Sequence, residues 1–532
     1  MASSMKKIIG LTTKDFFTGI APGAHVDTGG IWAEAQGINA FVDLERTVEA
    51  GLLQTSSAMT VLSASVDGTP MAYTTAPTQL LGGALGLYVI TDEGFIGRSA
   101  VAGVIGAATE VRGEEGASAL VQAGTGLETL ETANDGLLMF YFHNELSAFA
   151  NSATTMSATI GVYGDINSSN PSFTDNKFQE YKAAVNGVQS NVTLNRPAHK
   201  FRQKVYHGHD YRVGSLSEDS SGDIANVFED LDLPKNQEIT ALEDDGDFLV
   251  IASTNNKTFD ETSFADTNVW FWDTSSTDIS RSWPIKDSYI IGLRRVGGVV
   301  YALCPNGLWA FNYQTRPFKV LPLVRNGNEV VASQANPDSK PWIANGTISS
   351  INNAVVWGGS QVINSYGPLL NNLTNKDVYH KPYADLSAST GDFTLVAPDA
   401  NFNQVFGGTN GTSETTTFNK KAGGGTGFTA KSVYIPMGKE YVVQGIQVIL
   451  GEPLASGDDL FIDVQADEDE TEQTDGSTWG TISFATYGAV RKVTIFNNKT
   501  LENLKINLTF NGGNVKIKNI NVYGHPAQAP QQ

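Results

Sequence analysis

The chain has 532 residues, enough for two to four domains and a sizeable core. Only 17% of them are charged, below the roughly 25% of ordinary soluble domains, so Ser, Thr, Asn, Gln and 54 glycines must carry the surface; that profile suits turn-rich β-proteins and argues against a helical enzyme. The 35 Lys and Arg stand against 56 Asp and Glu, a formal net charge of −21, which repels a phosphate backbone and argues against nucleic-acid binding.

In chain order, Met1 to Gly10 holds Lys6 and Lys7 but no apolar run long enough for a signal peptide. No window approaches the roughly 18 apolar residues of a membrane span, so neither export nor a span is expected. Residues 1–30 are Gly-rich with little periodicity and are expected to form an N-terminal arm or the closing strand of a ring. Strand signals begin at Gly37-Ile-Asn-Ala-Phe-Val-Asp43. Leu85-Gly-Leu-Tyr-Val-Ile-Thr91, the turn Asp92-Glu-Gly94 and Phe95-Ile-Gly-Arg98 read as a strand, a tight turn and a return strand. The stretch 103–135 reads as a loop or short helix, and Leu137-Leu-Met-Phe-Tyr-Phe142 as a strand after Asp135-Gly136. Phe178 to Val185 is the best helix candidate. The basic stretch from Arg196 to Lys204 reads as a solvated loop, and residues 215–225 as a polar loop.

The clearest signal follows. Asp247-Phe-Leu-Val-Ile-Ala-Ser253, Asn268-Val-Trp-Phe-Trp-Asp273, Ile290-Ile-Gly-Leu-Arg-Arg-Val296, Val299-Val-Tyr-Ala-Leu-Cys304 and Gly307-Leu-Trp-Ala-Phe-Asn-Tyr313 are short apolar runs rich in β-branched and aromatic residues. Each closes on a turn signal such as Gly297-Gly298 or Pro305-Asn306-Gly307. Units of roughly 40 to 50 residues with about four strands recur, clearest near 238–285 and 288–324 and looser near 48–100, 103–150 and 155–215. Such a unit is what a β-propeller blade needs, and the pattern predicts an all-β chain with a propeller of about six to seven blades over 31–395. The lone cysteine, Cys304, sits within one of these apolar runs and reads as a small buried hydrophobe.

Residues 396–430, with Gly407-Gly-Thr-Asn-Gly-Thr and Gly423-Gly-Gly425, read as a Gly/Thr-rich linker or irregular segment. Residues 431–526 read as a separate β-sandwich that folds apart from the ring, and 527–532 as a frayed tail. Ile506, Leu508 and Phe510 alternate with polar residues, and Asn511-Gly-Gly-Asn514 reads as a hairpin turn. Val515 and Ile517 share one parity while Ile520 and Val522 share the other, which predicts a bulge near Lys518-Asn519.

Little chemistry stands out. His207-Gly-His209-Asp210 has the i, i+2 spacing that puts two imidazoles on one strand face, but further ligands are not identifiable. Glu243-Asp-Asp-Gly-Asp247 and the acidic block Asp463 to Asp475 have oxygens enough for calcium without the register of a calcium loop; the second reads as a solvated hairpin tip. Thr474-Asp-Gly-Ser-Thr-Trp479 is one residue short of the Asp-box of sialidase propellers. The aromatics Trp270, Trp272, Trp283, Trp309 and Trp357 read as packing between blades, with a glycan-binding face as the other option. No catalytic, cofactor-binding or metal-binding residue and no cofactor is assigned.

Gly29-Gly-Ile-Trp-Ala-Glu-Ala-Gln-Gly-Ile-Asn39, Trp270-Phe-Trp-Asp273, Tyr434-Ile-Pro-Met-Gly438, Gln444-Gly-Ile-Gln-Val448, Pro453 to Asp458 and Lys516 to Gly524 together resemble the virion β-propeller proteins of tailed bacteriophages. The resemblance implies a structural part of a tail (nozzle, tail tip or fibre-associated) that is made in the host cytoplasm and acts by assembly, not as an enzyme. The partners it implies are other virion tail proteins and further copies in a symmetric homo-oligomer, a hexamer among the options, with a host surface glycan as a further partner. The alternatives are a receptor- or glycan-binding tail protein with polysaccharide depolymerase activity, and a bacterial surface adhesin.

Overall fold

The computed structural model describes residues 197–323 apart from 219, 221–223 and 264, and residues 428–527 apart from 433, 467–469 and 513–514; elsewhere it describes shorter pieces, mostly strands. The best-defined sheet shows how the sequence makes the fold. Glu238–Asp244, Leu249–Thr254, Thr267–Trp272 and Arg281–Ile285 pair antiparallel in sequential order. The first turn is set by Asp245, whose Oδ1 accepts the backbone N–H groups of Asp247 and Phe248, while Gly246 takes φ of 105°. Every residue of Leu249–Thr254 is buried, because successive side chains go to opposite faces and both faces are covered. Leu249 and Ile251 join Tyr206, Val213 and Trp272 on one side. Val250 and Ala252 join Phe271, Val300 and Phe311 on the other.

The same grammar makes the other sheets. In chain order they are Pro70–Pro77 with Leu85–Thr91, Ile96–Val101 and Val104–Gly106; Val121–Glu131 with Gly136–Glu145, Met156–Tyr163 and Gln179–Tyr181; and Ala198–Phe201 with Lys204–His209, Arg212–Glu218 and Ile224–Asp232. After the sheet just described come Gly292–Val296 with Val299–Cys304, Gly307–Phe311 and Phe318–Pro322, and then Ile348–Ile351 with Ala354–Gly358, Val362–Pro368 and Asp377–Ala384. The last is Asp392–Pro398 with Gln404–Asn410 and Ser413–Gly424, completed by Ser57–Val61 from the N-terminal region.

The first strand of each sheet lies against the first strand of the next. Contacts run from Pro70–Pro77 to Val121–Glu131, Ala198–Phe201, Glu238–Asp244, Gly292–Val296, Ile348–Ile351 and Asp392–Pro398, and from there back to Pro70–Pro77. Four-stranded antiparallel sheets arranged radially around a closed circle of inner strands are a β-propeller. Cys304 is fully buried, and burial pushes its thiol well above the usual range.

Several sequence expectations are corrected. The stretch expected as a Gly/Thr linker, 396–430, holds strands Gln404–Asn410 and Ser413–Gly424 of the last sheet. Alternating Thr and small residues serve an antiparallel ladder as well as a linker, and composition does not separate the two. Of the two options for residues 1–30, an arm or a closing strand, the described part holds a strand, Lys6–Leu11, which pairs with Lys516–Pro526 of the C-terminal region rather than with the ring. In the helix candidate 178–185, Gln179–Tyr181 is an edge strand on Met156–Tyr163. The loop or helix expected over 103–135 includes the strands Val104–Gly106 and Val121–Glu131. Part of the polar loop expected at 215–225 belongs to Arg212–Glu218 and Ile224–Asp232.

The C-terminal region consists of Phe428–Ser432, Ile435–Leu450, Asp459–Gln465, Gly480–Ser483, Lys492–Asn511 and Lys516–Pro526, with one helical turn at Phe484–Tyr487. The long strand Lys492–Asn511 is shared. Its first part pairs with Ile435–Leu450, and its last part lies between Phe428–Ser432 and Asp459–Gln465. The parity switch resolves as expected: Ile449 faces Asn519, Leu450 faces Ile517, and Lys518 is the extra residue. This bulge keeps Val515, Ile517, Ile520 and Val522 all buried. Of the hairpin turn expected at Asn511–Asn514, Gly513 and Asn514 lie outside the described residues; among the described residues Lys516–Pro526 pairs with Ile435–Leu450 rather than with Lys492–Asn511.

The C-terminal region is joined to the ring. Trp32–Gln36 pairs antiparallel with Phe428–Ser432 and parallel with Asp377–Ala384. One hydrophobic cluster runs from Tyr289, Leu303, Trp357 and Tyr379 of the ring into Ile446, Leu460, Leu508 and Val522. The expectation that residues 431–526 fold apart does not fit this continuous core.

Candidate functional site

A group of five ionisable side chains lies on the inner strands of three successive sheets. His199 comes from Ala198–Phe201, Glu243 and Asp244 from the end of Glu238–Asp244, and Arg294 and Arg295 from Gly292–Val296. These segments lie 40 to 50 residues apart in sequence, and the circle of inner strands brings them together. His199 Nε2 stands 3.0 Å from Asp244 Oδ2 and 3.5 Å from Glu243 Oε1. The Arg295 guanidinium pairs with Asp244, and its backbone N–H donates to Glu243 Oε2 at 3.3 Å. Arg294 Nη1 lies 3.8 Å from Glu243 Oε2, and its Nε donates to Ser350 Oγ at 3.2 Å, on the next inner strand. Tyr73 on the first sheet's inner strand shares a 2.9 Å hydrogen bond with neighbouring Ser349.

Glu243 is the most buried member, with its side chain 7% exposed. Burial alone raises the Asp244 carboxyl, but the hydrogen bonds and charges of His199 and Arg295 outweigh it and hold the group below its ordinary range. His199, Glu243 and Asp244 offer one ligand atom each, all within 4.8 Å of one another. Two guanidiniums already balance the two carboxylates, so a divalent cation would add positive charge that no group of the cluster offsets. The cluster fits an ionic clamp between blades better than a metal centre.

The sequence candidates are distributed differently from their spacing. Of the acidic run Glu243 to Asp247, only Glu243 and Asp244 enter the cluster. Asp245 caps its own turn, and the Asp247 carbonyl accepts Arg202 Nη2 at 2.6 Å. His207 is fully buried within its sheet, and Asp210 pairs with Lys257 at 3.0 Å in a turn. The side chain of His209 lies outside the described residues. The basic stretch reaching Lys204 is a strand and turn, in which Arg202 also donates to the Asp273 carbonyl at 2.7 Å.

The second acidic block runs, in its described part, along the connection between the paired strands Asp459–Gln465 and Gly480–Ser483; Thr471, Glu472, Thr474 and Asp475 are exposed, as a solvated hairpin tip requires, and its base is tied in by side chains. Asp463 is buried and accepts the backbone N–H groups of Gly476 and Thr478 at 2.7 and 2.9 Å. The resemblance of Thr474 to Trp479 to an Asp-box thus reflects a turn tied to Asp463. Glu470 pairs with Lys499, and Glu472 with Lys431 and Lys505. Burial raises both carboxyls, but these lysines pull both below the usual carboxylate range.

The tryptophans mostly serve packing. Trp272, Trp309 and Trp357 are buried. The indole N–H groups of Trp270, Trp272 and Trp309 donate to Ser253 Oγ, the Ser276 carbonyl and Asp287 Oδ2. Trp283 differs: Arg281 lies 5.2 Å and Arg316 5.1 Å from its ring centroid. Sequence reading missed His199. It lies 45 residues from Asp244, and only the inner-strand register joins them.

No family model matches the chain, and no curated protein matches it. Solved structures similar to it include a β-propeller domain of Cps50 (Swd1) from Myceliophteria thermophila, at 9% identity and a TM-score of 0.39, covering 68% of this chain and 100% of that one. The Dos1 propeller matches at 10% identity and a TM-score of 0.37, covering 78% of this chain and 95% of that one. The computationally designed protein Ika8 matches at 15% identity and a TM-score of 0.35, covering 74% of this chain and 100% of that one. At these scores the fold assignment rests on the chain's own strand ladders. No helix among the described residues is long and apolar enough to cross a membrane.

Proposed function

We propose that the chain is a structural component of a bacteriophage tail, a nozzle or tail-tip ring subunit that acts by assembly in the virion and not by turnover. We also infer that the propeller has seven blades and that the C-terminal strands form a two-layer sandwich. The observation that carries the reading is the strand linkage between the ends of the chain and the ring. Lys6–Leu11 pairs with Lys516–Pro526, Ser57–Val61 completes the last sheet, and Trp32–Gln36 joins the C-terminal region to the ring. A block tied together through its backbone suits a part that bears load between neighbours.

The charged groups fit the same reading. Glu243, Asp244, Glu470 and Glu472 are engaged by cations of the same chain, as in a clamp. Other tail proteins and further copies are the partners this reading requires, and the virion tail is its location. Imaging of virions that carry the protein tests it. A fixed number of copies around the tail axis is expected. A soluble monomer that hydrolyses host polysaccharide reverses it in favour of a depolymerase.

A further inference from the structure

We propose that the outer edge of the sheets containing Arg281–Ile285 and Phe318–Pro322 binds the acidic outer strand, Ile224–Asp232, of a neighbouring copy of this chain. The inference rests on the assembly reading above and names the surfaces that would carry it.

The receiving edge has two guanidiniums held against aromatic rings. Arg281 lies 4.3 Å from the Tyr313 ring centroid and 5.2 Å from that of Trp283, and its Nη1 donates to the Tyr313 carbonyl at 2.6 Å. Arg316 lies 5.1 Å from the Trp283 ring. Phe248 stacks on Tyr313 at 4.3 Å with the planes 5° apart, which fixes the ring that Arg281 rests on. A guanidinium held this way gives up little freedom when a carboxylate arrives. Among the described residues, Arg212, Arg294 and Arg295 are engaged by carboxylates, whereas neither Arg281 nor Arg316 makes an ion pair. Phe318, on the neighbouring outer strand, is 53% exposed.

The donating strand has the complementary set. Val227 is 43% exposed, and the side chains of Glu229 and Asp232 are 54% and 56% exposed. Arg212 touches both acids from within its own sheet, so one positive charge faces two negative ones and the strand keeps a negative excess. Each surface thus offers one exposed apolar side chain and a set of like charges, Arg281, Arg316 and Lys319 on one and Glu229, Asp230 and Asp232 on the other. Both lie on fourth strands, which pair on one side only among the described residues. The protein's net charge of −21 makes a further copy a rich source of carboxylates for this edge. Because the two surfaces differ, the contact is head-to-tail and generates a ring when its rotation closes.

Sedimentation velocity on the full chain tests the proposal with the double variants Arg281→Glu/Arg316→Glu and Glu229→Arg/Asp232→Arg, and with all four substitutions combined. Circular dichroism and the urea midpoint check folding in each. Wild type is expected to associate, each double variant to associate at least tenfold more weakly, and the fourfold variant to recover. Wild-type association in either double variant, or a fourfold variant as weak as the doubles, overturns the interface and leaves the assembly reading standing. Wild type that stays monomeric overturns the interface, and the virion imaging above decides the assembly reading separately. A polyuronate that binds wild type and not Arg281→Glu/Arg316→Glu, with self-association unchanged between them, overturns the interface in favour of a saccharide site.

Discussion

Glu243 satisfies several donors at once. Its Oε2 receives the Arg295 N–H and lies within ion-pair distance of Arg294, and its Oε1 faces His199 and accepts the Asp244 N–H. Glu243→Ala is expected to cost about 3–5 kcal/mol, because removing one partner leaves buried charge uncompensated. Glu243→Gln, which keeps the shape and an acceptor, is expected to cost less, and urea unfolding at neutral pH measures both. Two groups in separate parts of the fold give the protein a pH dependence. The Asp244 carboxyl is lowered in the fold, so its contribution is present above the ordinary carboxylate range and is lost as pH falls through the lower folded value. The His380 imidazole is pushed down to about 4 by burial, against 6.5 unperturbed. The unfolded chain therefore binds the extra proton first, and stability present above pH 6.5 is lost between 6.5 and about 4. The urea midpoint should fall over that interval, and His380→Gln should flatten the fall. At this scale the sequence exposes the acidic run but not its use. Adjacent Glu243, Asp244 and Asp245 look alike in a string, yet strand direction sends the first two to the cluster and the third into its own turn.

Elements were legible where parity or turn chemistry left one solution. Val515, Ile517, Ile520 and Val522 can all face a core only with an extra residue between the pairs, and Lys518 is that residue. Deleting Lys518 should force a regular ladder that turns Ile520 and Val522 outward. The expected outcome is loss of the cooperative unfolding transition in the C-terminal region, read by hydrogen exchange. Gly358 gives a second test, from close approach between neighbouring sheets: a Cβ there falls 2.0 Å from the Phe393 carbonyl oxygen. Backbone cannot swing aside as a side chain can, so Gly358→Ala should cost about 1–3 kcal/mol or more in urea unfolding. Elements were illegible where composition served two structures equally. The Thr and Gly of 413–424 form a strand because the last sheet needs a third member, a need that exists only once the ring does. The segment around Gln179–Tyr181 reads as a helix by local preference and becomes an edge strand through its neighbour Met156–Tyr163.

For the whole molecule, the shared hydrophobic cluster and the bridging strand Trp32–Gln36 predict one cooperative unit across the described ring and C-terminal region. A chain cut after residue 427 should lose its single sharp thermal transition and bind a hydrophobic dye, because Tyr379, Trp357 and their neighbours lose part of their cover. The pairing of Lys6–Leu11 with Lys516–Pro526, and of Ser57–Val61 with Ser413–Gly424, sets an order of events during synthesis. The segments that leave the ribosome first wait for partners made last. Local hairpins such as Val299–Cys304 with Gly307–Phe311 can form as they emerge, while the circle stays open until the final strands arrive. A nascent chain arrested short of residue 413 therefore exposes an unpaired Ser57–Val61 and an uncapped last sheet, which makes incomplete synthesis the stage at which this protein is most open to chaperones and to mispairing with its own kind.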